Sequence, residues 1–190
     1  MAQETLTIGP KIGVDYTNFW GKDAPSHGGQ FNYQGGLFLE YRFNDKFSIA
    51  PEVVFAAQGG KFDIEQVDDA NGKSFLTPAV YHLNYINVPV MFKYYVIPSL
   101  SIDLGPQVDF NVYSKRTIGM NEKVTEDLKS GIKSVVFGVG LGLTYNITDQ
   151  VFVQARYTMG LTPAYSVPNE DDDKLMNSNI QLSFGYRLAL

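Results

Sequence analysis

Residues 100–113 read LSIDLGPQVDFNVY, and the fold is decided by how that stretch alternates. Leu100, Ile102, Leu104, Val108, Phe110 and Val112 take the even positions, with Ser101, Asp103, Gln107, Asp109 and Asn111 between them. Successive side chains of a β-strand point to opposite faces, so a period of two marks a strand with one apolar face and one polar face. Here the polar face carries two carboxylates.

The same period extends in both directions. Near the start, Leu6, Ile8, Ile12, Val14 and Tyr16 alternate with Thr5, Thr7, Gly9, Lys11, Gly13 and Asp15. Residues 31–43 set Phe31, Tyr33, Leu37, Leu39, Tyr41 and Phe43 against Asn32, Gln34, Glu40 and Arg42, and residues 47–59 set Ile49, Val53 and Phe55 against Ser48, Glu52 and Gln58. Residues 135–145, 151–161 and 180–188 repeat the pattern, placing Arg156 and Arg187 on the polar face. In residues 80–95, Ile86, Val88, Val90, Phe92 and Tyr94 keep the phase while Tyr81, Leu83 and Tyr85 lie on the other parity, which predicts a β-bulge near Asn84. Gly138, Gly140 and Gly142 fall inside a strand with no helix after them, so they read as room for bulky neighbours such as Tyr113, Arg156 or Phe152 rather than as a phosphate loop.

Eight such strands emerge, each long enough for a tilted membrane strand of roughly 9 to 11 residues. Their connections alternate in length. Short turns fall at Asn44-Asp45-Lys46, Ile97-Pro98-Ser99 and Ile147-Thr148-Asp149, and long polar segments at about 21–30, 60–78, 114–131 and 163–178. Asn71-Gly72 reads as the hinge of an extended hairpin within the second long segment. Short periplasmic turns and long external loops are the habit of outer-membrane barrels, which puts both termini on the periplasmic side.

Period two also suits a soluble barrel or a sandwich, so the position of the charges decides. Lys11, Asp15, Glu40, Arg42, Glu52, Lys93, Asp103, Asp109, Arg156 and Arg187 all lie opposite the apolar face. A small barrel has room only to pack side chains, and the many large aromatics of the apolar face would overfill it. The expectation is an all-β, eight-stranded antiparallel up-and-down transmembrane β-barrel, with lipid outside and these ten residues as a lumen charge network of paired acids and bases. Tyr41, Phe43, Phe47, Tyr94, Tyr145 and Tyr186 near the short turns, and Phe31, Tyr33, Phe55, Phe110 and Tyr157 nearer the long loops, read as two interfacial girdles.

Composition narrows the rest. A chain of 190 residues fits one domain, 1–190, and a net charge of -5 argues against a nucleic-acid partner. With no cysteine there is no disulfide or thiolate site, and the longest apolar run is far too short for a membrane helix. Met1-Ala2-Gln3-Glu4 reads as an added start residue before the mature end of an exported protein whose signal peptide is absent.

The segments Ile8-Gly9-Pro10-Lys11-Ile12-Gly13, Phe47-Ser48-Ile49-Ala50-Pro51-Glu52-Val53-Val54-Phe55 with Gly59-Gly60-Lys61, Tyr85-Ile86-Asn87-Val88-Pro89-Val90-Met91-Phe92-Lys93-Tyr94-Tyr95 and Phe184-Gly185-Tyr186-Arg187 resemble the PorT-like outer-membrane β-barrel domain family across nearly the whole chain. That resemblance implies a small exported barrel and leaves activity open, a role in secretion included. The chain departs from many such barrels by stopping at Leu190 instead of an aromatic used in assembly.

No catalytic constellation emerges. Histidine occurs only at His27 and His82; His82, with Tyr81, Ser74 and Thr77 nearby, is the one credible base, and its blander reading is a polar girdle residue. Glu170-Asp171-Asp172-Asp173 offers oxygen ligands for Ca²⁺ or Mg²⁺ but lacks calcium-loop glycine spacing, so a solvated loop is preferred and no metal site or cofactor is expected. Lys115-Arg116, with Lys123, Lys129 and Lys133, is placed to contact anionic head groups or polysaccharide. The function expected is that of a non-enzymatic, plugged, monomeric envelope barrel among outer-membrane lipid and lipopolysaccharide. Its loops would bind an extracellular protein or glycan; a secretion or assembly component and a lipid-modifying enzyme are the alternatives.

Overall fold

The computed structural model describes residues 5–20, 29–68, 73–118, 124–127, 133–163, 165–166 and 174–190. Its regular elements are all strands: β1 (Thr5–Trp20), β2 (Gln30–Arg42), β3 (Phe47–Asp68), β4 (Lys73–Ile97), β5 (Leu100–Ile118), β6 (Val124–Asp127), β7 (Val135–Asn146), β8 (Val151–Gly160), β9 (Tyr165–Ser166), β10 (Lys174–Tyr186) and β11 (Leu188–Ala189). Eight long strands, β1 to β5 with β7, β8 and β10, pair antiparallel with their neighbours, and β1 pairing with β10 closes the ring. β11 continues β10 along β1 beyond Arg187, while β6 and β9 add short ladders to β5 and β10 at the long-loop end.

The register fixes the shape of the interior. Following hydrogen-bonded partners from Asp15 through Gln181, Arg156, Gly142, Asp103, Lys93, Ser48 and Arg42 leads back to β1 at Thr5, ten residues from the start. That stagger around eight strands tilts them by about 40° and sets a backbone radius of about 8 Å, a space that inward side chains fill.

Burial alternates as the sequence does, with the polarity of a membrane protein. Ile12, Val14, Leu37, Val53, Phe92, Leu104, Phe137, Leu141, Ile180 and Leu182 are exposed on the outside, while Lys11, Asp15, Glu52, Lys93, Asp103, Asp109 and Arg156 are buried inside. Girdle aromatics meet in pairs at the two ends: Phe47 with its cross-strand partner Tyr94 at a centroid distance of 5.3 Å, Tyr41 with Phe43 at 5.1 Å, and Tyr16 with Phe31 at 5.0 Å.

The short turns are built by side chains that satisfy the backbone. Asn44 Oδ1 accepts from the backbone N–H of Lys46 at 2.8 Å and of Phe47 at 3.0 Å, and Thr148 Oγ1 accepts from Val151 N–H at 2.9 Å. Strands also need bare backbone where they cross closely: a Cβ on Gly36 would collide with the β3 backbone at Val53, and one on Gly105 with the β4 backbone at Val90.

Two expectations are corrected. The segments 60–78, 114–131 and 163–178 are not loops throughout, because β3 and β4 stay paired out to Asp68 and Lys73, β5 runs to Ile118 beside β6, and β10 begins at Lys174 beside β9. Beyond the lipid a ladder needs no apolar face, so the pairing continues where the alternation stops. The register does shift at Asn84/Tyr85, as the parity change predicts, but the extra residue lies on β5 at Val112. Leu83 and Tyr85 therefore keep the inward phase and form a small buried cluster with Val136 instead of turning to lipid. The Asn71-Gly72 hinge lies outside the described residues.

Candidate functional site

Two places gather functional side chains: the lumen, and a cavity at the outer rim. Nearest the short turns, Glu40 centres the first lumen layer. Its carboxylate accepts from Tyr95 OH at 2.5 Å and Ser48 Oγ at 2.7 Å, and pairs with Lys93 Nζ at 3.5 Å and with Arg187 at 3.3 Å. Arg187 also donates to Asn146 Oδ1 at 2.9 Å, and its guanidinium stacks 4.5 Å over the Phe152 ring. Phe152 lies against Gly185 and edge-on to Phe38 at 5.2 Å, so an apolar slab backs the ionic cluster. Arg42 stacks 3.8 Å over the Tyr95 ring and makes no carboxylate pair among the described residues.

Asp103 links this layer to the next. It accepts hydrogen bonds from Ser101, Thr144 and Gln154 and stands 4.0 Å from Lys93 Nζ. The second layer is built on Glu52, which Arg156 grips through two parallel bonds of 3.0 and 2.6 Å while Lys11 pairs with the same carboxylate. Lys11 also donates to Gln154 Oε1 at 3.2 Å. Gly140 and Gly142 give Arg156 its room, whereas Phe152 is accommodated by Gly185 and Tyr113 is exposed at the rim. Charge-assisted, bidentate bonds of this kind are the strong ones, and two successive layers close the lumen.

The outer part of the lumen differs. Asp15 and Asp109 are buried there but form no ion pair among the described residues, which corrects the expectation that every lumen acid is matched by a base. The bases Lys11, Lys93, Arg156 and Arg187 are committed to Glu40, Glu52 and Asp103 nearer the periplasm, and the outer lumen is lined instead by amides, among them Gln34, Gln58, Asn87, Gln107, Asn177 and Asn179. Sequence reasoning put Gln34, Gln58 and Gln107 on the polar face without a role and missed Asn87, Asn177 and Asn179, since a neutral polar residue inside a strand carries no signal beyond its parity.

At the long-loop end a cavity of about 550 Å³ is lined by Gln30, Asn32 and Gln58, by the aromatics Phe31, Tyr33 and Tyr113, and by Lys115 and Thr117. It opens where the β2–β3 ladder ends at Gln34 and Ala56 while both strands run on. Lys115 Nζ stands 5.1 Å over the Tyr113 ring. Of the remaining candidates, Arg116 and His82 are described only as backbone within the β4–β5 ladder, while His27, Lys123, Lys129 and Glu170, Asp171, Asp172 and Asp173 lie outside the described residues. A second cavity of about 550 Å³ opens at the short-turn end among Thr5, Glu40, Arg42, Tyr95, Asn146 and Arg187.

A closed eight-strand antiparallel barrel with a charged, plugged interior and an apolar, aromatic-banded exterior defines the class: a small bacterial outer-membrane barrel. The chain belongs to the outer membrane protein beta-barrel domain family, whose model matches residues 1–166. Among solved structures it is similar to Ail, the attachment invasion locus protein of Yersinia pestis, with 14% identity over 98% of this chain and 100% of that one at a TM-score of 0.53. It is similar also to Neisserial surface protein A, with 12% identity over 96% of this chain and 97% of that one, again at 0.53. The structure of Ail in complex with the heparin analogue sucrose octasulfate matches at 14% identity and a TM-score of 0.50, covering 97% of this chain and 99% of that one. A search of curated proteins gives no match.

Proposed function

We propose that this outer-membrane barrel is a non-enzymatic, monomeric surface-binding protein, a single domain whose outer rim holds an anionic glycan of the cell surface or its surroundings. The observation that carries the reading is the rim cavity, which brings one cation, Lys115, three aromatic rings and several amides to the membrane's outer edge. Sugars are held by stacking on aromatic faces and by amide hydrogen bonds, and sulfate or phosphate substituents by a lysine. The lumen offers no competing through-path, because the Glu40 and Glu52 layers occupy it. Ail, of the same fold, has been seen with a heparin analogue.

The test is binding of heparin oligosaccharides, and of lipopolysaccharide micelles as a membrane-derived source of anionic sugar, to the refolded barrel in detergent. Lys115→Ala and Tyr113→Ala should each weaken retention several-fold with the barrel still heat-modifiable on a gel. Equal binding by wild type and both variants rejects the rim as the site.

A second reading follows the narrower PorT-like resemblance: a component of a secretion or envelope-assembly system. It is favoured by the polar cavity at the periplasmic mouth, sized for part of an extended peptide. Photo-crosslinkers placed at Thr5 and Asp149 would trap a periplasmic partner in cells if this reading holds, and yield only uncrosslinked barrel if it does not.

A further inference from the structure

The outer lumen holds buried oxygens to which no described group donates, those of Asp15, Asn87, Asn177 and Asn179, beside the unpartnered Gln58 Nε2 and Tyr85 hydroxyl. Asp109 and Asn87 face each other across the β4–β5 ladder as direct partners, each only 2% exposed. Directly opposed residues of an antiparallel pair have Cβ atoms about 4.5–5.5 Å apart, so both side-chain oxygens reach one point. Asn87 Oδ1 has no hydrogen-bond partner among the described residues, and Asp109 receives Gln107 Nε2 at 2.7 Å on one oxygen. No lysine or arginine among the described residues forms an ion pair with Asp109.

The opposite wall repeats the condition. Four partners round the register from Asp15 lies Asp103, and with strands tilted by about 40° the six further residues along β5 bring Asp109 back to the depth of Asp15. Asp15 is fully buried, and neither of its carboxylate oxygens accepts a hydrogen bond from a described residue. Asn179 Oδ1 on the adjoining β10 is likewise without a partner, its amide nitrogen donating to Thr158 at 3.3 Å. A buried carboxylate outside any ion pair is costly, and a hard cation is what adjoining carboxylate and amide oxygens accommodate.

We propose that the outer half of the lumen is an inorganic cation site, in which Asp109 and Asn87 bind a monovalent cation of the sodium class. One carboxylate with neutral amide oxygens balances a single positive charge. Entry is from the rim cavity, whose lining residues Asn84 and Tyr113 are partners at the register shift just above Tyr85 and Asn111. From below, the Lys11–Glu52–Arg156 layer closes the site, so the ion enters and leaves at the same end.

The test uses the full chain refolded in detergent micelles, its urea unfolding followed by gel mobility in sodium chloride and in choline chloride at equal ionic strength. Sodium raised to ten times its dissociation constant should lower the unfolding equilibrium constant about tenfold. Asp109→Asn should abolish the difference between the salts, and Asn87→Asp, which adds a charged ligand, should shift preference toward calcium. Equal stability of the wild type in sodium and choline overturns the proposal without recourse to any variant. Protection by calcium chloride at concentrations where sodium gives none overturns the monovalent assignment, and a sodium effect that survives in Asp109→Asn overturns the site.

Discussion

Arg156 and Glu52, 104 residues apart in the chain, meet inside the barrel in a two-bond fork of 3.0 and 2.6 Å, with both side chains almost wholly buried. The strand stagger makes the encounter possible, because β3 and β8 lie across the ring from each other. Removing one member leaves the other charged group in a dry interior, the case in which a buried pair is most sensitive. Glu52→Ala should lower unfolding stability in lipid by about 3–5 kcal/mol, since both Arg156 and Lys11 lose their anion. The double variant Glu52→Ala/Arg156→Ala should lose less than the sum of the two single variants, and a strictly additive result in urea titrations would deny the coupling.

Tyr95 reaches Glu40 with a hydroxyl bond of 2.5 Å while its ring supports Arg42 at 3.8 Å. Tyr95→Phe removes the first contact and keeps the second. Loss of one hydrogen bond to a charged group should cost about 1.5–3 kcal/mol, whereas Tyr95→Leu should lose the stacking as well and cost more. Urea midpoints of the two variants separate the hydroxyl from the ring; equal midpoints would assign the whole effect to the hydroxyl.

The fold was legible because lipid and lumen impose opposite polarities on alternate residues. Lys11, Glu52, Asp103 and Arg156 betray the inner face by charge, and Leu104, Phe137 and Leu141 the outer one by size. Leu83 and Tyr85 were misread because an apolar residue satisfies either environment, and only the partner strand reveals that the extra residue is Val112. Phe38 and Phe152 carry the inward parity, but their contact depends on a cross-barrel register that no local pattern encodes. For the same reason the sequence supplies the members of the ionic layers and not their pairing, and it does not foretell that Asp15 and Asp109 are left aside.

Gly185 makes room for the Phe152 ring, on which Arg187 rests. A methyl group there meets the ring and nothing softer, so Gly185→Ala should overpack the inner layer by about 1–3 kcal/mol. Trimming the ring should relieve it. Gly185→Ala/Phe152→Leu should therefore be more stable than Gly185→Ala alone, even though Phe152→Leu by itself destabilises. If the second substitution only worsens the first, the strain lies in the backbone and not at the ring.

The assignment of lipid to the apolar face can be tested on β7, where neighbouring positions face opposite ways. Leu141, 55% exposed and far from either end of its strand, should sit near the bilayer midplane. Leu141→Arg should cost about 2–4 kcal/mol in vesicles, and an arginine moved towards the strand end at Tyr145 about 0–1 kcal/mol, because the penalty falls with depth. A water-soluble barrel would lack this dependence on depth, tolerating arginine at Leu141 and at Tyr145 equally. Folding yield of the two variants in vesicles, read by gel mobility, distinguishes the outcomes: equal yields would mean that Leu141 faces water, and with it the whole outer surface of the strand.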